Sequence, residues 1–125
     1  MIVFSLEHLL EIHALVIQKS GGSDGLRDLG RLESVIAIQT QNVFGQELYE
    51  TIPGKASAMI RAIIADYPFV DGNKRTAMLA GLTFLNLNGF KFSIEQGKIE
   101  NFAVKIATDH LTIKDISRWL NAHIN

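Results

Sequence analysis

The fifteen residues from Lys74 to Asn88 constrain the fold most, because Ala77, Met78, Leu79, Leu82, Phe84 and Leu85 place apolar side chains on almost every face of one helix. A helix without a polar face cannot lie on a surface. It must run through the middle of a domain, and the rest of the chain must supply the elements that wrap it. Gly89 is placed to end it.

The wrapping elements read as further helices. Ser5 can cap a helix on which Leu6, Leu9, Leu10, His13, Val16 and Ile17 recur at three- and four-residue steps until Gly21-Gly22. Asp28 can cap a second, with Leu32, Val35, Ile36 and Gln39 on its stripe. From Gln41 to Thr51 the pattern is too short and irregular for a helix and suits a loop or small hairpin. Thr51, with Pro53 in the first turn, opens a third helix carrying Ala56, Ile60, Ile63, Ile64 and Tyr67, which Pro68 should stop. After the central helix come a short extended piece at Phe90-Lys91-Phe92, a helix from Glu95 to Thr108, and a last one, Ile113 to Ala122, capped by Thr112. The expectation is an all-α domain of about six helices spanning residues 1–125, with no internal repeat, linker or low-complexity tract.

Composition removes several classes of function. Twelve Lys and Arg against thirteen Asp and Glu provide no concentrated positive charge for a phosphate backbone, so direct nucleic-acid binding is not expected. Without cysteine there is no disulfide, thiolate metal site or cysteine nucleophile, and the four dispersed histidines suggest no transition-metal centre. The start lacks the basic region of a signal peptide and no apolar run is long enough to cross a bilayer. A cytoplasmic protein that does not engage membranes is expected.

Chemistry concentrates between Tyr67 and Thr76, where Pro68-Phe69-Val70-Asp71-Gly72-Asn73-Lys74-Arg75 leads into the central helix. A helix N-terminus presents unpaired N–H groups and partial positive charge, so Gly72, Asn73 and Lys74 can cradle an anion, with Lys74 and Arg75 adding two full charges. Asp71 is a hard oxygen ligand placed to hold Mg²⁺ against a di- or triphosphate. These are parts of a phosphoryl- or nucleotidyl-transfer site. The plainer alternative is that Asp71 or Asn73 caps the helix and that Lys74 and Arg75 form a solvated first turn. No Gly-x-x-x-x-Gly-Lys-(Ser/Thr) run is present, so the site is not that of a P-loop protein.

The same run resembles the core motif of the Fic/Doc superfamily, His-x-Phe-x-(Asp/Glu)-Gly-Asn-(Gly/Lys)-Arg. Ile12-His13, Gly21-Gly22, Gly25 to Gly30, Leu32-Glu33-Ser34, Phe84 to Gly89 and Trp119-Leu120 are similar to the Doc branch. The resemblance implies the Fic helical fold, with Asp71 on Mg²⁺ and Gly72, Asn73, Lys74 and Arg75 around the phosphates of ATP. Phe69 would anchor the loop in the core. Lys74 after the asparagine is the Doc form, which implies a toxin of a toxin–antitoxin pair moving the γ-phosphate to a threonine of elongation factor Tu and so arresting translation. The segment from Gln41 to Thr51 occupies the place of the family's target-docking flap, with a merely structural connection as the plainer alternative.

One position departs from the motif. Where the family has histidine as general base, this chain has Tyr67. An ordinary phenol ionises near pH ~10 and an imidazole near ~6.5, so tyrosine is a poor base at neutral pH. Losing a general base typically costs a factor of ~10² to 10⁴. Tyr67, natural or introduced, is therefore expected to weaken or silence transfer, and its hydroxyl offers a different role, as an acceptor of the transferred group. His13, on an apolar stripe, reads as a core residue or one supporting the site, and His8, His110 and His123 as surface residues.

The chain lacks the pattern (Ser/Thr)-x-x-x-Glu-(Gly/Asn) of an inhibitory helix, which the resemblance turns into an expectation of restraint by a separate antitoxin in an apolar groove. Two other functions stay open: transfer of AMP to a protein hydroxyl, and a catalytically silent nucleotide- or antitoxin-binding module.

Overall fold

The computed structural model describes every residue from Met1 to Asn125. Ser5 accepts a hydrogen bond from the His8 N–H, and His8 Nδ1 accepts one from Ser5 N–H, so a reciprocal cap starts α1 (Leu6–Ser20). Asp28 caps α2 (Leu29–Ala37) through the Arg31 N–H, and Thr51 caps α3 (Ile52–Asp66), with Pro53 in its first turn. The helices α4 (Asn73–Leu87), α5 (Gln96–Asp109) and α6 (Ile113–His123) follow, the last begun by Thr112. Six helices make this an all-α fold.

Between α2 and α3 the chain takes a single 3-10 turn, Ile38–Thr40, and a small antiparallel hairpin of β1 (Asn42–Val43) and β2 (Gln46–Glu47). Its two turn residues, Phe44 and Gly45, lie at φ 51° and 81°, the left-handed pair that matches a two-residue hairpin. Phe44 has its ring fully in solvent.

The core is one continuous cluster of 22 buried residues. α3 and α4 form its spine: α3 packs against α4, α6 and α2, and α4 also receives α1 and α5. Gly81 permits the close approach of the pair, since a Cβ there would stand 2.4 Å from Ile60 Cδ1. The sequence places Lys74–Asn88 in the middle, and nine of the fifteen residues of α4 are buried. Its register starts one residue earlier than expected because Asn73 already has helical geometry.

Three expectations need correction. Gln39 does not continue the α2 stripe; it sits in the 3-10 turn, wholly buried, where its amide bonds both backbone groups of Phe4 and the Ile36 carbonyl. Leu79 is 41% exposed, so α4 is not covered on every side. His123 is half-buried rather than on the surface, its ring beside Trp119, which in turn stacks on Phe102 at 4.1 Å. The extended piece at Phe92 is present as a bridge to Ile124, closing the chain's end onto the body.

Candidate active site

α3 ends abruptly. Tyr67 adopts left-handed geometry, φ 49° and ψ 58°, immediately before Pro68, although a residue preceding proline is pushed toward extended conformations. Such a conformation costs about 1–3 kcal/mol and persists only where neighbours over-determine it. Here they do. The Tyr67 N–H donates to Ile63 O, while Arg27 Nε donates to Tyr67 O and Arg27 Nη2 to Asp66 O, each at 2.5 Å. Pro68 O accepts from Arg27 N and Asp28 N at 2.8 and 3.0 Å, and Val70 N donates to Gly25 O at 2.9 Å. The segment between α1 and α2 is thus zipped along the loop that follows α3, with Leu26 bridging Phe69. Arg31 ties the same corner by ion pairs to Asp28 and Asp66.

As a result Tyr67 leaves the buried stripe on which helical spacing puts it, and turns outward with 54% of its surface exposed. Its backbone is pinned, and the residue lines a cleft.

Phe69 points the other way, into the core, 1% exposed and stacked flat on His13 with ring centroids 3.7 Å apart. His13 Nε2 lies 2.8 Å from Asp71 O; a carbonyl can only accept, so Nε2 carries the hydrogen. Asn73 commits its whole amide to Phe69, with Oδ1 accepting from Phe69 N at 3.0 Å and Nδ2 donating to Phe69 O at 2.9 Å. Asp71 Oδ2 accepts from Ser23 N at 2.9 Å.

These bonds decide between the two readings of the loop as far as capping goes. Neither Asp71 nor Asn73 caps α4, whose N-cap Gly72 has no side-chain hydrogen bond to offer. The first intrahelical bond into this end is Thr76 N to Gly72 O. The N–H groups of Asn73, Lys74 and Arg75 therefore face outward without a side-chain acceptor, which is the condition for holding an anion. Gly72 itself, at φ 75°, serves packing as well as backbone shape, since a Cβ there would stand 3.1 Å from Ile17 Cδ1 and 3.3 Å from Val16 Cγ1.

The helix end opens on a cleft of about 430 Å³. Tyr67, Asp71, Gly72, Asn73, Lys74 and Arg75 line one side, and Ser20, Gly21 and Gly22 at the end of α1 the other. Arg75 Nη1 donates to Ser20 Oγ, and Arg75 Nη2 lies 3.9 Å from Glu100 Oε1 on α5. Phe69 is the one expected site residue outside the cleft lining; it holds the loop from beneath. A larger groove of about 780 Å³ continues past Lys74 and Arg75 between α1, α4 and α5, with Leu15, Met78, Leu79, Leu82, Ile99 and Val104 among its apolar walls. The exposed edge of Leu79 belongs to this groove.

Three contributors, Ser20, Ser23 and Glu100, have no signal of their own in the sequence, and Arg27 has only its place in the run Gly25 to Gly30; all four reach the loop or the cation from other parts of the chain, and only the fold brings them there.

No helix is long and apolar enough to cross a membrane. The sequence model of the Fic/DOC family matches residues 3–85, which take in α1, the hairpin, the strained loop and most of α4. Toxin Doc of Mycolicibacterium smegmatis is 31% identical over 102 residues, 80% of this chain and 78% of that protein. Protein kinase doc of Escherichia phage P1 is 28% identical over 116 residues, 93% of this chain and 90% of that protein. The pinned loop and the uncapped helix end lie inside the matched stretch, and the chain belongs to the Fic/DOC family, in its Doc branch.

Proposed function

We propose that this Doc-type toxin scaffold binds ATP with Mg²⁺ in the cleft at α4, and that the group it is built to move is the γ-phosphate. The acceptor class is a protein hydroxyl, a threonine of elongation factor Tu, and the outcome is arrest of translation in the cytoplasm. The observation that carries the reading is the uncapped N-terminus of α4, which carries Lys74 and Arg75 in its first turn and opens on a cleft of nucleotide size.

The division of labour follows from the geometry. The N–H groups of Asn73, Lys74 and Arg75 and the Arg75 guanidinium would hold the phosphates, at little reorganisation cost because Asn73, His13 and Ser23 already fix the loop. No three His, Cys, Asp or Glu side chains converge to form a protein cage for a metal. With Ser23 on its Oδ2, Asp71 still has Oδ1 for a cation, which suits Mg²⁺ held by one carboxylate together with substrate phosphates. When bound, that ion would neutralise phosphate charge. Tyr67 stands where the motif has its base, so transfer to an external hydroxyl is weakened by about 10² to 10⁴.

The partner is an antitoxin segment seated in the groove between α1, α4 and α5. Support comes from its apolar walls and from its continuity with Arg75, which a bound segment would reach directly.

The deciding experiment compares this chain with Tyr67→His, each incubated with elongation factor Tu, Mg²⁺ and ATP labelled at the γ-phosphate. Label should move to the factor strongly with histidine and feebly with tyrosine. Transfer only from α-labelled ATP would replace phosphorylation with AMP transfer, and no transfer from either label with the histidine variant would leave a binding module.

A further inference from the structure

Tyr67 has the position of a base and the chemistry of an acceptor. Tyr67 lines the same cleft as Asp71, Gly72, Lys74 and Arg75, and it is 54% exposed. Its backbone is held by Ile63 and Arg27 on one side, and by the Pro68 contacts to Arg27 and Asp28 on the other, so the side chain swings only about its own torsions. A phenol hydroxyl also reaches further from the backbone than an imidazole nitrogen. From a residue placed to touch an incoming hydroxyl, the extra reach carries the Tyr67 oxygen toward the place of that hydroxyl itself.

We propose that Tyr67 is a self-modification site, the chain transferring the terminal phosphoryl group of a bound nucleoside triphosphate to its own Tyr67 Oη. The inference rests on the nucleotide reading above. Oη attacks the terminal phosphorus, forming the Oη–P bond, and the bond from phosphorus to the bridging oxygen breaks. Its electron pair leaves with the nucleoside diphosphate, and the phenolic proton passes to water in the open cleft.

Magnitudes favour the step. In a loose transition state the bond to the incoming oxygen is weak, so its proton can leave late and strong activation is not required. The missing base costs about 10² to 10⁴. A tethered acceptor can gain an effective concentration of up to about 10⁵ M or more, so even a small part of that advantage offsets the loss. The product places a charge of about −1.5 to −2 beside Lys74 and Arg75, where it occupies the phosphate site and stops the reaction after one event.

The test incubates the full chain with Mg²⁺ and γ-labelled ATP and maps the label by peptide mass spectrometry. Calorimetry in parallel measures binding of a non-hydrolysable ATP analogue to the unmodified and the reacted chain. The expected result is label on Tyr67, saturating at one phosphate per chain and with a rate independent of protein concentration. Tyr67→Phe should lose it, and the reacted chain should bind the analogue at least about tenfold more weakly. Analogue binding without label on Tyr67, or label on other residues only, overturns the proposal and leaves the nucleotide reading standing. Transfer of the α-labelled nucleotidyl group to Tyr67 overturns its phosphoryl form. Failure to bind the analogue at all removes both.

Discussion

At Asp115 one side chain links local geometry to pH. The backbone N–H of Thr112 donates to its carboxylate, and this bond, seconded by the Thr112 hydroxyl, holds the Asp115 carboxyl below its ordinary value of 3.8. A carboxyl with a depressed folded-state pKa contributes stability above its unfolded value, and that contribution is lost as pH falls through the lowered one. Asp115→Asn should therefore unfold more readily than the parent at pH 7, and the gap between the two should narrow as pH falls from the ordinary carboxyl value through the lowered one, where the aspartate becomes neutral too. Thermal melts across the acid range check this, and a constant gap would sink it. Asn73 shows the opposite relation between a residue type and its use. Its type suggests a cap or a phosphate contact, yet both ends of its amide hold Phe69, and it serves the cleft through its backbone.

Among the elements, the hairpin hangs from the body by a charge. Lys55, in the first turn of α3, is 2% exposed, its ammonium donating to Gln39 O at 2.8 Å and to Glu47 Oε1 on β2 at 3.2 Å. Gln39 in turn holds the backbone of Phe4, so the tether leads from β2 to the residues just before α1. Glu47→Ala would leave a buried cation with a single neutral acceptor, at a cost of about 1–3 kcal/mol. Amide exchange should speed up across the hairpin, at Leu48 N above all, which bonds Gln41 O at its base. Protection in α3 and α4 should stay closer to the parent's, and uniform loosening of all helices would contradict the tether. The sequence reads this stretch as a loop or hairpin. What it does not reveal is that a lysine, a residue type normally on the surface, is buried to anchor it.

For the molecule as a whole, the α3–α4 spine sets both stability and the position of the cleft. Replacing glycine with alanine inside a helix normally gains about 1 kcal/mol. Gly81→Ala should do the reverse, because its Cβ would stand 2.4 and 2.5 Å from Ile60 Cδ1 and Cγ1. The overpacking cost of about 1–3 kcal/mol exceeds the gain in propensity. Urea unfolding should show a lower midpoint, and a midpoint at or above the parent's would mean that Ile60 moves aside freely.

Most of the architecture is legible in the chain because it is written in local patterns. Ser5, Asp28, Thr51 and Thr112 cap where their hydroxyls and carboxylate suggest, Pro68 stops α3, and the apolar run around Met78 to Leu85 is the middle of the fold. The residues of the cleft from Tyr67 to Arg75 are legible too, since neighbours in sequence share one loop and one helix end. The left-handed turn at Tyr67 is not, because helical spacing and the following proline both argue against it, and only the bonds from Arg27 and the zipper along Pro68 to Val70 sustain it. Glu100 at Arg75, Ser23 at Asp71, His13 beneath Phe69 and the groove under Leu79 are likewise products of tertiary packing. By itself the sequence determined which segments are helical, which helix is central and which loop carries charge, because these depend on periodicity and on neighbours along the chain. Only the tertiary structure decided how Arg27 and Ser23 hold that loop and what faces Arg75, because those contacts join residues from 25 to 55 positions apart, between which no local preference acts.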